Sequence, residues 1–154
     1  RRQRQMCIRD RDHHNAYEPG KRPFHTIIPA FVMKDGAPHL SFGVMGGAQQ
    51  PQGQVQVLVN MIDFGMNVQE AGDVARFNHV VRTSPLRPIV PEGGLLRLES
   101  GVEKAVVEEL KRRGHTVVIE SGDFGGYQAI LWDPANRVYH GASEMRKDGM
   151  AIGY

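Results

Sequence analysis

The sequence is poor in cysteine and aromatic residues, and it has no long hydrophobic run. Its only cysteine, Cys7, lies in an arginine-rich head, so a disulfide within the chain and a cysteine-rich zinc site are excluded. No apolar stretch approaches the roughly 20 residues of a membrane-spanning helix. The first residues also lack the apolar core of a secretory signal. The sequence therefore predicts no membrane segment.

Positive charge is concentrated at the N-terminus. The first twelve residues, "RRQRQMCIRDRD", hold five arginines and two aspartates, whereas the rest of the chain holds 14 basic and 15 acidic residues. The basic isoelectric point is thus a property of this head, and no nucleic-acid partner is predicted. We interpret residues 1–12 as a disordered or non-native head and residues 13–154 as one domain.

The remaining patterns predict an α+β domain with about five strands and three helices. Two strands should meet at Asp35-Gly36, a dipeptide suited to a tight hairpin. Pro29 marks the first of them as an edge strand or the site of a bulge. Apolar residues on both faces predict a sheet covered on two sides. A second hairpin should turn at residues 133–136.

Three segments have the pattern of helices. The first should end before Gly65, and Asn67 with Glu70 forms a capping-box pattern at the start of a second, short helix. Ser100 with Glu103 predicts a capping box for a third helix, which should end at Gly114. The predicted buried faces are Val55, Leu58, Val59 and Ile62 in the first helix, and Val102, Val106, Val107 and Leu110 in the third.

The segment "FGVMGGAQQPQG", residues 42–53, places two adjacent glycines where a strand should end and a helix begin. The first amides of a helix have no partner within it, and the absence of a Cβ lets a negative group approach closely. Gly46 and Gly47 are therefore a candidate anion or oxyanion site, although a double glycine is also typical of a plain sharp turn. No Gly-Lys-Ser/Thr follows, so the segment is not a phosphate-binding P-loop.

Other reactive groups give weaker signals. The seven histidines include no His-Glu-x-x-His pair, and we predict neither a metal nor another cofactor. No serine lies in a Gly-x-Ser-x-Gly elbow. We interpret His115 and His140 as surface or structural histidines. Asp63, Arg146 and Asp148 are interpreted as helix-surface charges or hydrogen-bonding groups of the tail.

Several segments together resemble the C-terminal part of the small subunit of the γ-glutamyltranspeptidase (glutathione hydrolase) family. They are, in order, "PGKRPFHTIIPAFVMKDG", "GVMGGAQQPQGQVQVLVNMIDFGMNVQEA", "RRGHTVV" and "GASEMRKDGMAIGY". The resemblance runs from about residue 15 to 154 and is greatest to the bacterial γ-glutamyltranspeptidase-like branch. It implies the αββα sandwich of an N-terminal-nucleophile hydrolase, of which this chain is the C-terminal portion.

The resemblance also implies catalysis through an acyl-enzyme. In this family a precursor cleaves itself before a threonine, and the α-amine thus released can serve as the base for attack on a γ-glutamyl amide. The acyl group then passes to water or to an amino acid. Gly46 and Gly47 match the family glycines whose backbone amides form the oxyanion hole. They are the catalytic residues that the resemblance implies for this chain.

The implied substrate-binding residues depart from the family pattern. Transpeptidases of the family commonly have two serines that hold the substrate's α-carboxylate, whereas this chain has His25 and Thr26. Thr26 retains a hydroxyl, but His25 changes the size and charge of the pocket. Val44-Met45 replaces the usual Ser-Pro before the double glycine. An acylase or amidohydrolase of the same superfamily, acting on another acyl group, therefore stays open.

The family's nucleophilic threonine lies several tens of residues before the "PGKRP" motif, and no residue of this chain matches it. Thr26, Thr83 and Thr116 are internal and are not expected to replace it. We therefore expect an inactive fragment of an autoprocessed enzyme, with the large subunit of the same precursor as partner and a γ-glutamyl or other amide as substrate. A non-catalytic fragment that binds another subunit is a further interpretation. The sequence leaves bacterial cytoplasm, periplasm and secretion equally open.

Overall fold

A computed structural model of the chain describes residues 16–22, 25–81, 93–122 and 124–153. The head, residues 1–12, and Thr83 lie outside these ranges. No helix in the described part is long and apolar enough to cross a membrane. The described elements are β1 (Ala30–Lys34), β2 (Ala37–Met45), α1 (Gln49–Ile62), α2 (Glu70–Asp73), β3 (Phe77–Val80), β4 (Leu95–Leu98), α3 (Lys104–Arg112), β5 (Val117–Ile119), β6 (Gly126–Asp133) and β7 (Val138–Ser143).

Four antiparallel strands form the larger sheet, in the order β1-β2-β6-β7. Both predicted hairpins are confirmed. At the first turn, Asp35 and Gly36 have φ angles of +52° and +77°, the left-handed conformation that a tight hairpin turn requires. At the second, the Asp133 carboxylate accepts hydrogen bonds from the amides of Ala135 and Asn136, at 2.9 and 3.2 Å. These turns fix the register within each hairpin.

Strand β1 confirms the edge position, one of the two alternatives drawn from Pro29, whereas the irregularity of the strand does not lie at the proline itself. It lies at the edge of the sheet and starts immediately after that proline. Its register against β2 also shifts between Val32 and Met33. An edge position tolerates proline because no ladder hydrogen bond is needed on its outer side.

A second, smaller sheet has the order β3-β4-β5. β3 pairs antiparallel with β4, and β4 pairs parallel with β5 through the crossover that contains α3. The short apolar segments "LLRLE" and "HTVVIE" predict β4 and β5, whereas no sequence pattern predicts β3. This strand is only four residues long, and only Asn78 in it is buried, so it lacks the apolar alternation by which strands are recognised.

Helices α1 and α2 cover one face of the larger sheet. Leu40, Phe42 and Val44 of β2 pack there with Val57 of α1 and Tyr127 of β6. The alternation of buried and exposed residues along β2 follows from the two-residue period of a strand. This layer is the hydrophobic core.

The predicted buried face of α1 is wrong in three of its four positions. Val55 is 60 % exposed, Ile62 is 72 % exposed and Val59 also faces outward, while Leu58 is half-buried. The helix instead turns Gly53 toward the sheet, where an added Cβ would lie 2.6 Å from Val44. Close backbone packing at a glycine therefore decides the orientation of α1, and apolar periodicity does not report it.

The two predicted capping boxes have different outcomes. At α2 the Asn67 side chain accepts from the Glu70 amide at 2.9 Å, and the Glu70 carboxylate accepts from the Asn67 amide at 2.9 Å, which confirms the prediction. At α3 the capping box of Ser100 and Glu103 is wrong, because the helix begins at Lys104 and its N-cap residue Glu103 makes no side-chain cap.

The predicted buried face of α3 is only partly correct. Val107 is fully buried, Val102 and Leu110 are half-buried, and Val106 is exposed. Gly114 follows the helix with a φ of +90°, as expected for its C-terminal stop.

The opposite face of the larger sheet is only partly covered within the described residues. Phe31, Ser41, Ile130 and Gly141 form one row across the four strands. Phe31 is 60 % exposed and Ile130 is 55 % exposed. The tail after β7 crosses β6 and β7, where Ala151 approaches Gly141 closely. The predicted second cover is thus limited to this tail in the described part of the chain.

Candidate active site

Gly46 and Gly47 lie in the turn between β2 and α1, where the sequence placed them. Their φ angles are +127° and +59°, a region that side chains with a Cβ rarely adopt. Their carbonyls accept from the amides of Gln49 and Gln50, each at 3.1 Å. Because C=O and N–H of one trans peptide point in opposite directions, the bond from Gln49 turns the Gly47 N–H away from the helix.

The amides of this double-glycine loop are available to a ligand. Within the described ranges, neither the Gly46 nor the Gly47 N–H donates to a protein acceptor. Gly47 is exposed, and a Cβ placed on it would meet no atom within 4 Å. Donors that are fixed in place and have no partner suit a carboxylate or the oxyanion of a tetrahedral intermediate.

The start of β6 supports the loop from its other side. A Cβ added to Gly46 would lie 3.1 Å from Gly125 Cα, and one added to Gly125 would lie 2.5 Å from the Met45 carbonyl. Arg76 Nη1 donates to the Phe124 carbonyl at 3.1 Å and thereby holds this segment. Sequence reasoning missed Gly125, although the adjacent glycines Gly125-Gly126 were a usable signal of close approach.

His25 and Thr26 lie beside the same loop. The Thr26 carbonyl accepts from Gln50 Nε2 at 2.9 Å, and the same nitrogen lies 3.3 Å from the Gly47 carbonyl. His25 Nδ1 is 2.9 Å from the Ile27 carbonyl, which can only accept, so this nitrogen carries the proton. Both side chains are exposed. The fold therefore brings the four residues singled out from the sequence into one region.

Five glutamines of α1 tie the helix to the chain on its two sides. Gln50 and Gln54 bind the segment that precedes β1, through Thr26 and Ile28. Gln49, Gln52 and Gln56 bind the backbone or side chains of β3. No sequence pattern assigned these glutamines a role, so the contacts were not predicted.

A buried ionic cluster, composed of Arg76, Glu99, Glu144 and Arg146, joins the two sheets. Arg146 donates to Glu99 at 2.5 Å and to Glu144 at 2.5 Å, and its side chain is only 9 % exposed. Arg146 was interpreted as a helix-surface charge or as a hydrogen-bonding group of the tail. It does form hydrogen bonds, but it is not a surface charge. It is a central member of a buried network.

Burial and charge shift the ionisation of this cluster. Burial, with the positive charge of Arg146, lowers the pKa of Arg76. Burial alone would raise the pKa of Glu99, but hydrogen bonds from Arg146 and from the Arg76 amide outweigh it and hold that pKa below its usual range. Arg76 Nε and Glu144 Oε1 are buried without a partner among the described atoms.

The other charged candidates lie apart from the loop. Asp63 is the exposed C-cap residue of α1, and Asp148 is exposed in the tail. His115 is exposed in a cleft of the smaller sheet, where Thr116 also lies. His140 is exposed and 3.5 Å from Asp133.

No group of three histidine, cysteine or acidic residues that could hold a metal ion occurs in the described ranges.

Comparison with known proteins shows which family the chain belongs to. The profile of the family described as Gamma-glutamyltranspeptidase matches residues 2–154. The chain belongs to this family. It is 34 % identical over 147 residues to the glutathione hydrolase-like YwrD proenzyme of Bacillus subtilis, covering 94 % of this chain and 27 % of that protein. It is also 34 % identical to the glutathione hydrolase proenzyme of Escherichia coli, covering 91 % and 22 % respectively.

A solved relative confirms the fold of the γ-glutamyltranspeptidase family. The crystal structure of a cephalosporin acylase from Bacillus halodurans superimposes with a TM-score of 0.70 and 39 % identity, covering 94 % of this chain and 26 % of that one. The α+β fold of N-terminal-nucleophile hydrolases, inferred from the sequence motifs, is therefore correct. The chain spans about a quarter of the length of these relatives.

Proposed function

We propose that this chain supplies the oxyanion hole and part of the acyl-binding pocket of an amide hydrolase or transferase of the γ-glutamyltranspeptidase type. The observation that carries the proposal is the pair of amides at Gly46 and Gly47, which have no acceptor among the described residues, beside the exposed His25-Thr26 segment. The relatives named as glutathione hydrolases support a γ-glutamyl amide as substrate.

The reaction follows from where charge develops. A threonine outside this chain attacks the amide carbonyl, and the carbonyl oxygen becomes negative in the tetrahedral intermediate. The Gly46 and Gly47 amides donate to that oxygen, and one such donor contributes about 3 kcal/mol to the transition state. The amine leaves with a proton, and water or an amino acid then attacks the acyl-enzyme through a second intermediate of the same shape.

The His25-Thr26 segment is the proposed recognition element for the acyl group. The Thr26 hydroxyl can donate to a carboxylate, whereas His25 has its Nδ1 proton directed to the Ile27 carbonyl and exposes Nε2. A neutral imidazole presents an acceptor there, which suits a donor on the substrate better than an α-carboxylate. This observation and the 39 % identity to a cephalosporin acylase support a second candidate, an acylase with a different acyl group.

The remainder of the same precursor, including a large subunit, is the proposed partner. The partly covered face of the larger sheet supports this assignment because Phe31 and Ile130 are more than half exposed on it within the described residues. An apolar sheet face of this kind is normally buried against another layer. The relatives are named as proenzymes, and autoprocessing of the complete protein is part of the proposal.

The test is an amide hydrolysis assay on the complete precursor that contains this chain. Its substrates are γ-glutamyl-p-nitroanilide and a panel of other acyl amides, with the 154-residue chain assayed in parallel. We expect the precursor to cleave itself and turn over, and the chain alone to be inactive. Preference within the panel separates the γ-glutamyl hydrolase from the acylase. A precursor that neither cleaves itself nor turns over would leave only the non-catalytic binding fragment, and an active chain would place the nucleophile within it.

A further inference from the structure

Among the described residues, Gln50 is the one whose side chain hydrogen-bonds both to the double-glycine loop and to the segment before β1. Its Nε2 donates to the Thr26 carbonyl at 2.9 Å and lies 3.3 Å from the Gly47 carbonyl. Its Oε1 accepts from the Ile28 amide at 3.1 Å. The residue is only 7 % exposed, so these bonds are shielded from competing water.

The geometry points to Gln50 as a positioning residue for substrate specificity: it holds Thr26, and with it His25, at a fixed distance from the oxyanion donors. This inference rests on the proposed function, because it assigns Thr26 and His25 to the acyl-binding pocket. Gln50 itself touches backbone atoms only. It acts on the substrate through the segment that it orients.

The bonding pattern predicts which kinetic constant depends on Gln50. The Gly47 carbonyl also accepts from the Gln50 amide at 3.1 Å, and this bond remains when the side chain changes. The loop therefore keeps its orientation. The Thr26–Ile28 segment, in contrast, loses both bonds from Gln50, and of its described bonds to α1 it keeps the one that Gln54 makes to the Ile28 carbonyl. Substrate binding should suffer more than the chemical step.

Gln52 provides a matched control on the same helix. Its side chain makes two bonds to an extended segment, as Gln50 does to Thr26 and Ile28, donating to the His79 carbonyl at 3.1 Å and accepting from the His79 amide at 2.8 Å. These bonds lead to β3. Gln50→Met and Gln52→Met thus remove the same number of bonds between an extended segment and α1, on two different sides of the helix.

The experiment uses the complete precursor and the best amide from the assay panel. For Gln50→Met we expect KM to rise about tenfold and kcat to fall less than about threefold, because two hydrogen bonds to the binding segment are lost. The ratio of kcat/KM between the preferred amide and the others should fall as well. Gln50→Glu keeps the acceptor for Ile28 but faces the two carbonyls with an oxygen, so its KM should rise at least as much.

Gln52→Met should lower the melting temperature by a similar amount and leave KM, kcat and the preference among amides within about twofold of the original. The inference is overturned if Gln50→Met matches Gln52→Met in every kinetic constant, since Gln50 would then be only structural. It is equally overturned if Gln50→Met changes kcat alone. A wild-type precursor without turnover would instead defeat the proposed function, and the inference with it.

Discussion

The double-glycine loop and the buried ionic cluster meet at the start of β6 but use polar groups in opposite ways. Arg76 of the cluster donates to the Phe124 carbonyl, and the next residue, Gly125, packs against Gly46. In the cluster, Arg146 directs its donors to Glu99, Glu144 and two backbone carbonyls. In the loop, the amides of Gly46 and Gly47 have no acceptor within the described residues.

This difference separates groups that stabilise the fold from groups to which the proposed function assigns chemistry. Charges that are buried must be paired within the chain, since an unpaired one costs several kcal/mol. Amides that serve a reaction must instead remain unpaired until charge develops on the substrate. The two regions share a boundary at residues 124–126, so the cluster also provides the rigid support on which the loop depends.

Removing a member of the cluster should have the largest effect. Arg146→Met leaves Glu99 and Glu144 without their main partner, and we expect a loss of about 3–5 kcal/mol in stability. In the complete protein, hydrogen exchange followed by mass spectrometry should show faster opening of the segment from residue 124 to 131. Arg112→Met is the control, because Arg112 pairs with Glu109 on the surface and such pairs contribute at most about 1 kcal/mol. Equal effects of the two variants would contradict the structural role of the cluster.

A change in the loop should affect catalysis by nearly as much free energy. Gly46→Ala places a Cβ 3.1 Å from Gly125 Cα at a φ of +127°, so the amides must shift. We expect kcat/KM of the complete enzyme to fall by about two to three orders of magnitude. The control is Gly36→Ala, which has a φ of +77° but open space around it and should reduce stability alone. Retained activity in Gly46→Ala would remove the loop from the mechanism.

Local sequence signals predicted the parts of the fold that depend on local conformation. Asp35-Gly36 and the Asn67–Glu70 capping box act within a few residues, and both are present as expected. The orientation of α1 depends instead on Gly53 meeting Val44. Such long-range packing overrides the apolar stripe and has no local signature. Strand β3 also depends on distant partners. The amides along one of its edges donate to glutamine side chains of α1, and the four residues of the strand carry no local sign of these bonds.

The residues of the candidate site also fall into those that the sequence predicts and those that it does not. Gly46 and Gly47 were predictable because two adjacent glycines at a strand-to-helix junction form a local pattern, and the family resemblance added His25 and Thr26. The structure adds three further residues, Gln50, Gly125 and Arg76. Their partners lie 22 or more residues away in the sequence, and several of these partners are backbone carbonyls. Backbone acceptors are common to all residues, so no residue pattern in the partner segment indicates such bonds.

Removing the charge of Glu99 should have an effect of intermediate size on the stability of the buried ionic cluster. Hydrogen bonds hold its pKa below the ordinary value of 4.5, so its contribution is present above that pH and is lost as the pH falls through the lowered pKa. Glu99→Gln should cost about 1–2 kcal/mol near pH 7 and flatten the decline in stability in acid. The measurement is hydrogen exchange or thermal unfolding across that pH range. A decline as steep as in the original protein would assign the acid sensitivity to other carboxyl groups.

A single neutral hydrogen bond in the core should have the smallest effect. Tyr127 is fully buried, and its hydroxyl donates to the Val68 carbonyl at 3.0 Å. Burial raises the pKa of this phenol, so it stays a neutral donor. Tyr127→Phe should cost about 1 kcal/mol, seen as faster exchange around residues 66–73, with kcat/KM unchanged. Tyr139→Phe, at an exposed position, should change neither the exchange around residues 66–73 nor kcat/KM. If Tyr127→Phe reduced activity as strongly as Gly46→Ala does, the core and the loop would be coupled, and the proposed separation between stability and chemistry would fail.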